Sequence, residues 1–190
     1  MNKLFFILFL MAFSNLEAQS IFGYNSIGSG TLSMSANTKI AGKFTTDAKM
    51  GTVTNIAAYV NRTATGSGYA VRCGIYTDNA GVPNSLVANS SIVISTNLTK
   101  SAAAWYTGTY ATAPVLSAST SYWLVIQFAS ASVMYLNTTG GTGVNSITDT
   151  YSDDLSASYG TTTSSTDLLS VYITFTPAAT GKPRRVSLLL

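Results

Sequence analysis

Histidine does not occur in this chain of 190 residues, and cysteine occurs once, at Cys73. Without an imidazole there is no Ser-His-Asp or Cys-His nucleophile, and the commonest transition-metal ligand is missing. A Cys/His zinc cluster is excluded on the same ground, and one cysteine cannot close an intramolecular disulfide. Charge is scarce too: 9% of residues are Asp, Glu, Lys or Arg, against roughly 25% in ordinary soluble domains. The net charge is only +3, and three of the ten basic residues are Lys182, Arg184 and Arg185 near the C-terminal end. The body of the chain is near neutral, without the basic stripe that nucleic-acid binding needs. Gly140-Gly141-Thr142-Gly143 lacks the lysine and the strand–helix context of a phosphate loop and reads as a plain loop. No convincing amphipathic helix appears after the first twenty residues.

What the chain has in abundance is hydroxyl. Ser and Thr make up about a quarter of the residues, beside 46% hydrophobic ones. Polarity carried by hydroxyls suits strands with one wet face and many loops, a composition of extracellular and virion β proteins more than of cytosolic enzymes. The length fits one domain with a real core.

Residues 69–128 carry the clearest pattern. Tyr69, Val71, Cys73 and Ile75 fall on one face and Ala70, Arg72, Gly74 and Tyr76 on the other, the period of a half-buried strand. Asp78-Asn79-Ala80-Gly81 and Val82-Pro83-Asn84 then supply the residues of a chain reversal. Cys73 shares its face with Val71 and Ile75, so it reads as a small buried hydrophobe. Further strands are predicted at 31–36, 39–45, 53–61, 69–77, 91–96, 105–112, 122–129, 133–137 and 168–176, with a short one at 144–147. Turn signals separate them at short, fairly regular spacing. The expectation is an all-β, antiparallel, jelly-roll-like β-sandwich of about eight to ten strands. Residues 138–166 are low in complexity and too polar to be core throughout; they read as long loops with one or two short strands, and such loops are where binding is often placed.

Both ends read as special segments. Lys3, the apolar run from Leu4 to Phe13 and the polar stretch from Ser14 to Ser20 have the layout of a secretory signal peptide, with cleavage after Ala18 or Ser20. Ten apolar residues are short for a membrane helix. The expected organisation is a leader over 1–20, a sandwich over 21–177, and a linker with an apolar tail over 178–190. That places the mature protein outside the cell, at a surface or in a virion, with no stable transmembrane span once the leader is removed. The tail, Arg184-Arg185-Val186-Ser187-Leu188-Leu189-Leu190, ends in three leucines, each worth roughly 2 kcal/mol when buried. Arg184, Arg185, Val186, Leu188, Leu189 and Leu190 are therefore candidate assembly residues. Strand addition to a neighbouring copy, in a homo-oligomer or a larger assembly, would bury them, as would docking into a virion or membrane, or packing on their own domain.

Two further groups are candidate sites. Trp105, Tyr106 and Tyr110 lie in an aromatic-rich stretch with Tyr122, Trp123 and Tyr135, and flat rings among hydroxyls suit a glycan partner. Core packing is the competing role for such rings; it is assigned here to Trp123 and Trp105, with Tyr106 and Tyr110 expected at the surface. Asp149, Asp153 and Asp154 gather in one loop and offer oxygen ligands to Ca²⁺, the one cofactor the sequence leaves open. Together with Asp167 they are also the only approach to a glycosidase-like carboxylate pair, and they read more simply as solvated loop acids. Four N-x-Ser/Thr sequons, at Asn61, Asn89, Asn97 and Asn137, arise easily in so hydroxyl-rich a chain.

Ile75-Tyr76-Thr77-Asp78, Gly81-Val82-Pro83, Leu86-Val87-Ala88, Trp105 and the run Ser121-Tyr122-Trp123-Leu124-Val125-Ile126 together resemble a jelly-roll module. Such modules occur in bacterial cell-surface and secreted proteins and in phage tail or virion proteins. The resemblance spans about 57–137. It implies a non-catalytic protein that serves display, adhesion, glycan binding or assembly, and it supplies no catalytic residues. The expectation is a structural subunit of an extracellular or virion assembly, or alternatively a secreted carbohydrate-binding or adhesion module.

Overall fold

The computed structural model describes residues 18–63, 65, 69–100, 102–137, 140–151, 154–160 and 163–178. They form fourteen strands: β1 (Ser20–Gly23), β2 (Gly30–Met34), β3 (Thr38–Thr45), β4 (Gly51–Arg62), β5 (Val71–Asn79), β6 (Val82–Leu86), β7 (Ile92–Ser95), β8 (Ala104–Thr109), β9 (Ser121–Phe128), β10 (Ser132–Asn137), β11 (Val144–Thr148), β12 (Thr163–Ser165), β13 (Leu168–Leu169) and β14 (Val171–Pro177). All pairings between them are antiparallel. Two seven-stranded sheets pack face to face. Sheet A runs β1-β14-β4-β10-β13 with β8 and β2 attached, and sheet B runs β12-β11-β3-β9-β5-β6 with β7 attached. The chain is an antiparallel β-sandwich.

Eight strands make the frame. In chain order the first pairs with the last, β1 with β14, and the second with the seventh, β3 with β9. The third pairs with the sixth, β4 with β8, and the fourth with the fifth, β5 with β7. This is a long hairpin wrapped into two sheets, the pairing of a jelly roll. The contacts β14–β4 and β9–β5 then complete each sheet. Four elements, β10 to β13, are inserted between the last two frame strands, and this insertion shapes both outer faces.

Alternation decides what fills the middle. Val71, Cys73 and Ile75 of β5, Leu124, Ile126 and Phe128 of β9, Val171, Ile173 and Phe175 of β14, and Ile56, Ala58 and Val60 of β4 all point inward and are buried. Burial raises the Cys73 thiol far above its ordinary pKa, which leaves it an inert core atom.

Two strands depart from the expected pattern. β6 occupies a stretch read as a turn; the reversal itself is confined to Ala80 and Gly81, with φ of 51° and 88°. That pair of positive φ values is what a two-residue hairpin demands. β1 starts at Ser20, which pairs with Phe175, inside the region assigned to the leader. β11 and β12 are short strands within the polar stretch 138–166. The segment 1–17 and the tail with Arg184, Arg185, Val186, Leu188, Leu189 and Leu190 lie outside the described residues, as does Asp153.

Candidate functional site

The two outer faces of the sandwich differ in charge and in cover. On sheet B the outward residues of β3, β9 and β5 include Lys39, Lys43, Trp123, Val125, Arg72, Tyr76 and Asp78. A strap whose described residues are 149–151 and 154–160 crosses this face. The Asp149 and Tyr151 amides donate to the Asn37 backbone and side chain. Leu86 and Tyr159 exchange backbone hydrogen bonds with Ala157 and Asn84 at the edge of β6. Beneath the strap Ala41, Tyr76, Trp123, Val125, Leu155 and Tyr159 form a second, smaller core. Trp123 is thus buried, at 1% exposure, between sheet and strap rather than between the sheets.

The cations of sheet B are all engaged. Lys39, 1% exposed, lies 2.9 Å from Asp149 Oδ2 with the Tyr159 ring 4.6 Å away. Lys43 stands 3.0 Å from Asp78, which also accepts a hydrogen bond from Trp123 Nε1 at 2.8 Å. Partial burial works against the Asp78 carboxylate. The hydrogen bonds from Lys43, Trp123 and the Gly81 amide, with the Lys43 charge, outweigh that and hold its pKa below the ordinary range. Asp154 is lowered as well, first by the hydrogen bond from Ser91, then by the Leu155 amide and Arg72 against some desolvation. Asp149 and Asp154, the described members of the candidate calcium group, therefore serve different ion pairs, with Lys39 and with Arg72. Among the described residues no three His, Cys, Asp or Glu side chains gather as a metal site.

Sheet A is the opposite. Its seven strands contain one charged residue, Arg62, at the end of β4. Its outer face carries a row of four half-buried rings, Tyr172 of β14, Trp105 of β8, Tyr59 of β4 and Tyr135 of β10. Ring centroids are 5.0 Å apart for Trp105–Tyr172, 5.4 Å for Tyr59–Trp105 and 4.9 Å for Tyr59–Tyr135. Trp105 and Tyr172 come from strands two apart, on either side of β4, so their rings meet over it. They can because Ala57, opposite Tyr172 in register, is small, and it is fully buried there. Hydroxyls and amides surround the rings: Thr107 and Thr109 along β8, Thr174 beside Asn55, and Thr31 opposite Tyr135. At the far end of β8, Thr109 borders a groove of about 310 Å³ shared with Asn89, Ser91 and Thr112.

Of the three aromatic candidates, Trp105 belongs to this face. Tyr106 and Tyr110 do not. Both point into the sandwich: Tyr106 packs on the main core with its hydroxyl accepting from the Thr99 amide at 2.9 Å, and Tyr110 is 8% exposed with its hydroxyl donating to the Ser90 carbonyl at 3.0 Å. The expectation had the phase of β8 reversed, with Trp105 inside. Tyr59 and Tyr172 were missed because each is the one aromatic on the outward face of its strand, and only the register β8–β4–β14 brings them together.

No protein-family model matches this chain, and no curated protein shows significant similarity to it.

The open face joins flat apolar surfaces to neutral hydrogen-bonding groups. Such rings present one apolar and one wet end, the property that suits Tyr and Trp to exposed binding surfaces.

Proposed function

We propose that this protein is a secreted, non-catalytic β-sandwich that binds neutral glycan through the outer face of sheet A. The observation that carries the reading is the half-buried row Tyr172–Trp105–Tyr59–Tyr135, which no described residue covers, on a sheet face nearly free of charge, while the charged face opposite is crossed by the strap. Pyranose rings offer flat C–H faces for the aromatic rings and hydroxyls for Thr107, Thr109, Thr174 and Asn55. The near absence of cations on this face argues for neutral sugars over uronic or sulfated ones. The test is a glycan array probed with the mature protein at two ionic strengths. Binding to neutral glycans that is indifferent to salt supports the reading; binding confined to anionic glycans and lost in salt contradicts it.

A second reading has its own support. A structural subunit of an extracellular or virion assembly would associate through strand edges and the tail with Arg184, Arg185, Val186, Leu188, Leu189 and Leu190. β1 ends sheet A and carries Ile21 at 51% exposure, so it offers an edge for strand addition. The solution mass of the full-length protein against a chain ending at Pro177 tests this: a large assembly that falls to monomer supports it, and two monomers refute it.

A further inference from the structure

Lys39 is the one lysine of the sandwich with essentially no exposure, and its surroundings exceed what an ion pair needs. Its Nζ lies 2.9 Å from Asp149 Oδ2 and donates to Ser156 Oγ at 2.7 Å. Ser156 Oγ in turn donates to the same Asp149 Oδ2 at 3.1 Å. The three groups close a triangle in which protons already point from ammonium to hydroxyl to carboxylate. Tyr159 and Tyr76 wall the amine, with ring centroids 4.6 Å and 5.6 Å away. Both rings are themselves pinned: the Tyr76 hydroxyl donates to the Ser156 carbonyl at 2.6 Å, and the Tyr159 hydroxyl to the Asn145 carbonyl at 2.9 Å. Lys39 stands on frame strand β3 and Asp149 at the root of the strap, so the pair joins the sandwich to its inserted cover.

We infer that Lys39 and Asp149 form an intramolecular isopeptide bond, a covalent staple that fastens the strap to β3. A proton passes from the Lys39 ammonium through the Ser156 hydroxyl to the Asp149 carboxylate, leaving a neutral amine beside a neutral carboxylic acid. The amine lone pair attacks Asp149 Cγ, the Nζ–Cγ bond forms, and the Cγ–O bond breaks. One carboxyl oxygen leaves as water with two of the three ammonium protons, and the third stays on the amide nitrogen. One positive and one negative charge disappear together, and no oxidant, metal or other co-reactant is needed. Fixed proximity replaces activation, as in other reactions of groups held in contact. The buried aromatic wall keeps bulk water from the amine, and the Asp149 side chain retains 23% exposure, an exit for the water released. Condensation also removes two charges from a setting where burial makes them costly. It gives a chain with a single cysteine the cross-link that a disulfide supplies elsewhere.

Tryptic peptide mapping of the denatured wild-type protein tests the bond directly. An acylated Lys39 is no longer a trypsin site. The expected digest shows no cleavage after Lys39 and a branched peptide joining the segments of Lys39 and Asp149, one water lighter than the two linear peptides together. Intact masses give a second measure: Lys39→Arg keeps the ion pair but cannot condense, so it should exceed wild type by the substitution plus one water. Cleavage after Lys39, with the peptide containing Asp149 recovered linear at its full mass, overturns the inference.

Discussion

At the scale of single residues, the two tryptophans separate binding from stability. Trp105 is half-buried at the centre of the open aromatic row, and Trp123 is sealed under the strap. Trp105→Ala removes stacking worth about 1.5 kcal/mol, so affinity for a neutral glycan should fall about tenfold or more while the folded state stays intact by circular dichroism. Trp123→Ala opens a cavity in the smaller core and should cost about 3–5 kcal/mol of unfolding free energy, measured by urea denaturation. Asp78 links the same site to pH. Its folded pKa is depressed, so its contribution is present above the ordinary carboxylate range and is lost as pH falls through the folded value. The stability gap between wild type and Asp78→Asn should therefore narrow on acidification, and a gap constant with pH would refute this role for Lys43 and Trp123 as its partners.

At the scale of elements, β8 and the strap set the character of the molecule. Tyr110 closes the inward side of β8 by bonding the Ser90 carbonyl, and Tyr110→Phe should cost about 1–3 kcal/mol by leaving that buried acceptor unmet. Gly74 lies directly beneath Leu155, and a Cβ there would collide with the Leu155 side chain. Gly74→Val should lift the strap and expose the segment around Leu155 to limited proteolysis, with the frame still folded. These two elements also mark how far the sequence could be read. The frame was legible because β5 and β14 alternate in sequence and β9 is apolar on both faces. The phase of β8 was not, since Trp105 on one side and Tyr106 and Tyr110 on the other satisfy alternation equally well. Only the small Ala57 and the partners Tyr59 and Tyr172 draw Trp105 outward. The strap was hidden for a different reason. Its buried side chains among the described residues, Leu155 and Tyr159, sit in a polar stretch without periodicity, and its anchor Lys39 reads as a surface cation until the covering loop is in place.

At the scale of the whole molecule, the sandwich has one closed face and one open face. Charge is concentrated on sheet B, where each lysine and arginine meets a carboxylate, and the inserted strap withdraws that surface from solvent. Sheet A is left neutral, aromatic and fringed with hydroxyls, which is why the proposed glycan binding is placed there. The central claim is tested most directly by a neutral-glycan array run in parallel with wild-type protein and Trp105→Ala. The account predicts a defined set of neutral glycans bound by wild type and lost, or weakened at least tenfold, in the variant. Undiminished binding by Trp105→Ala, or no neutral glycan bound by the folded wild type, would contradict it.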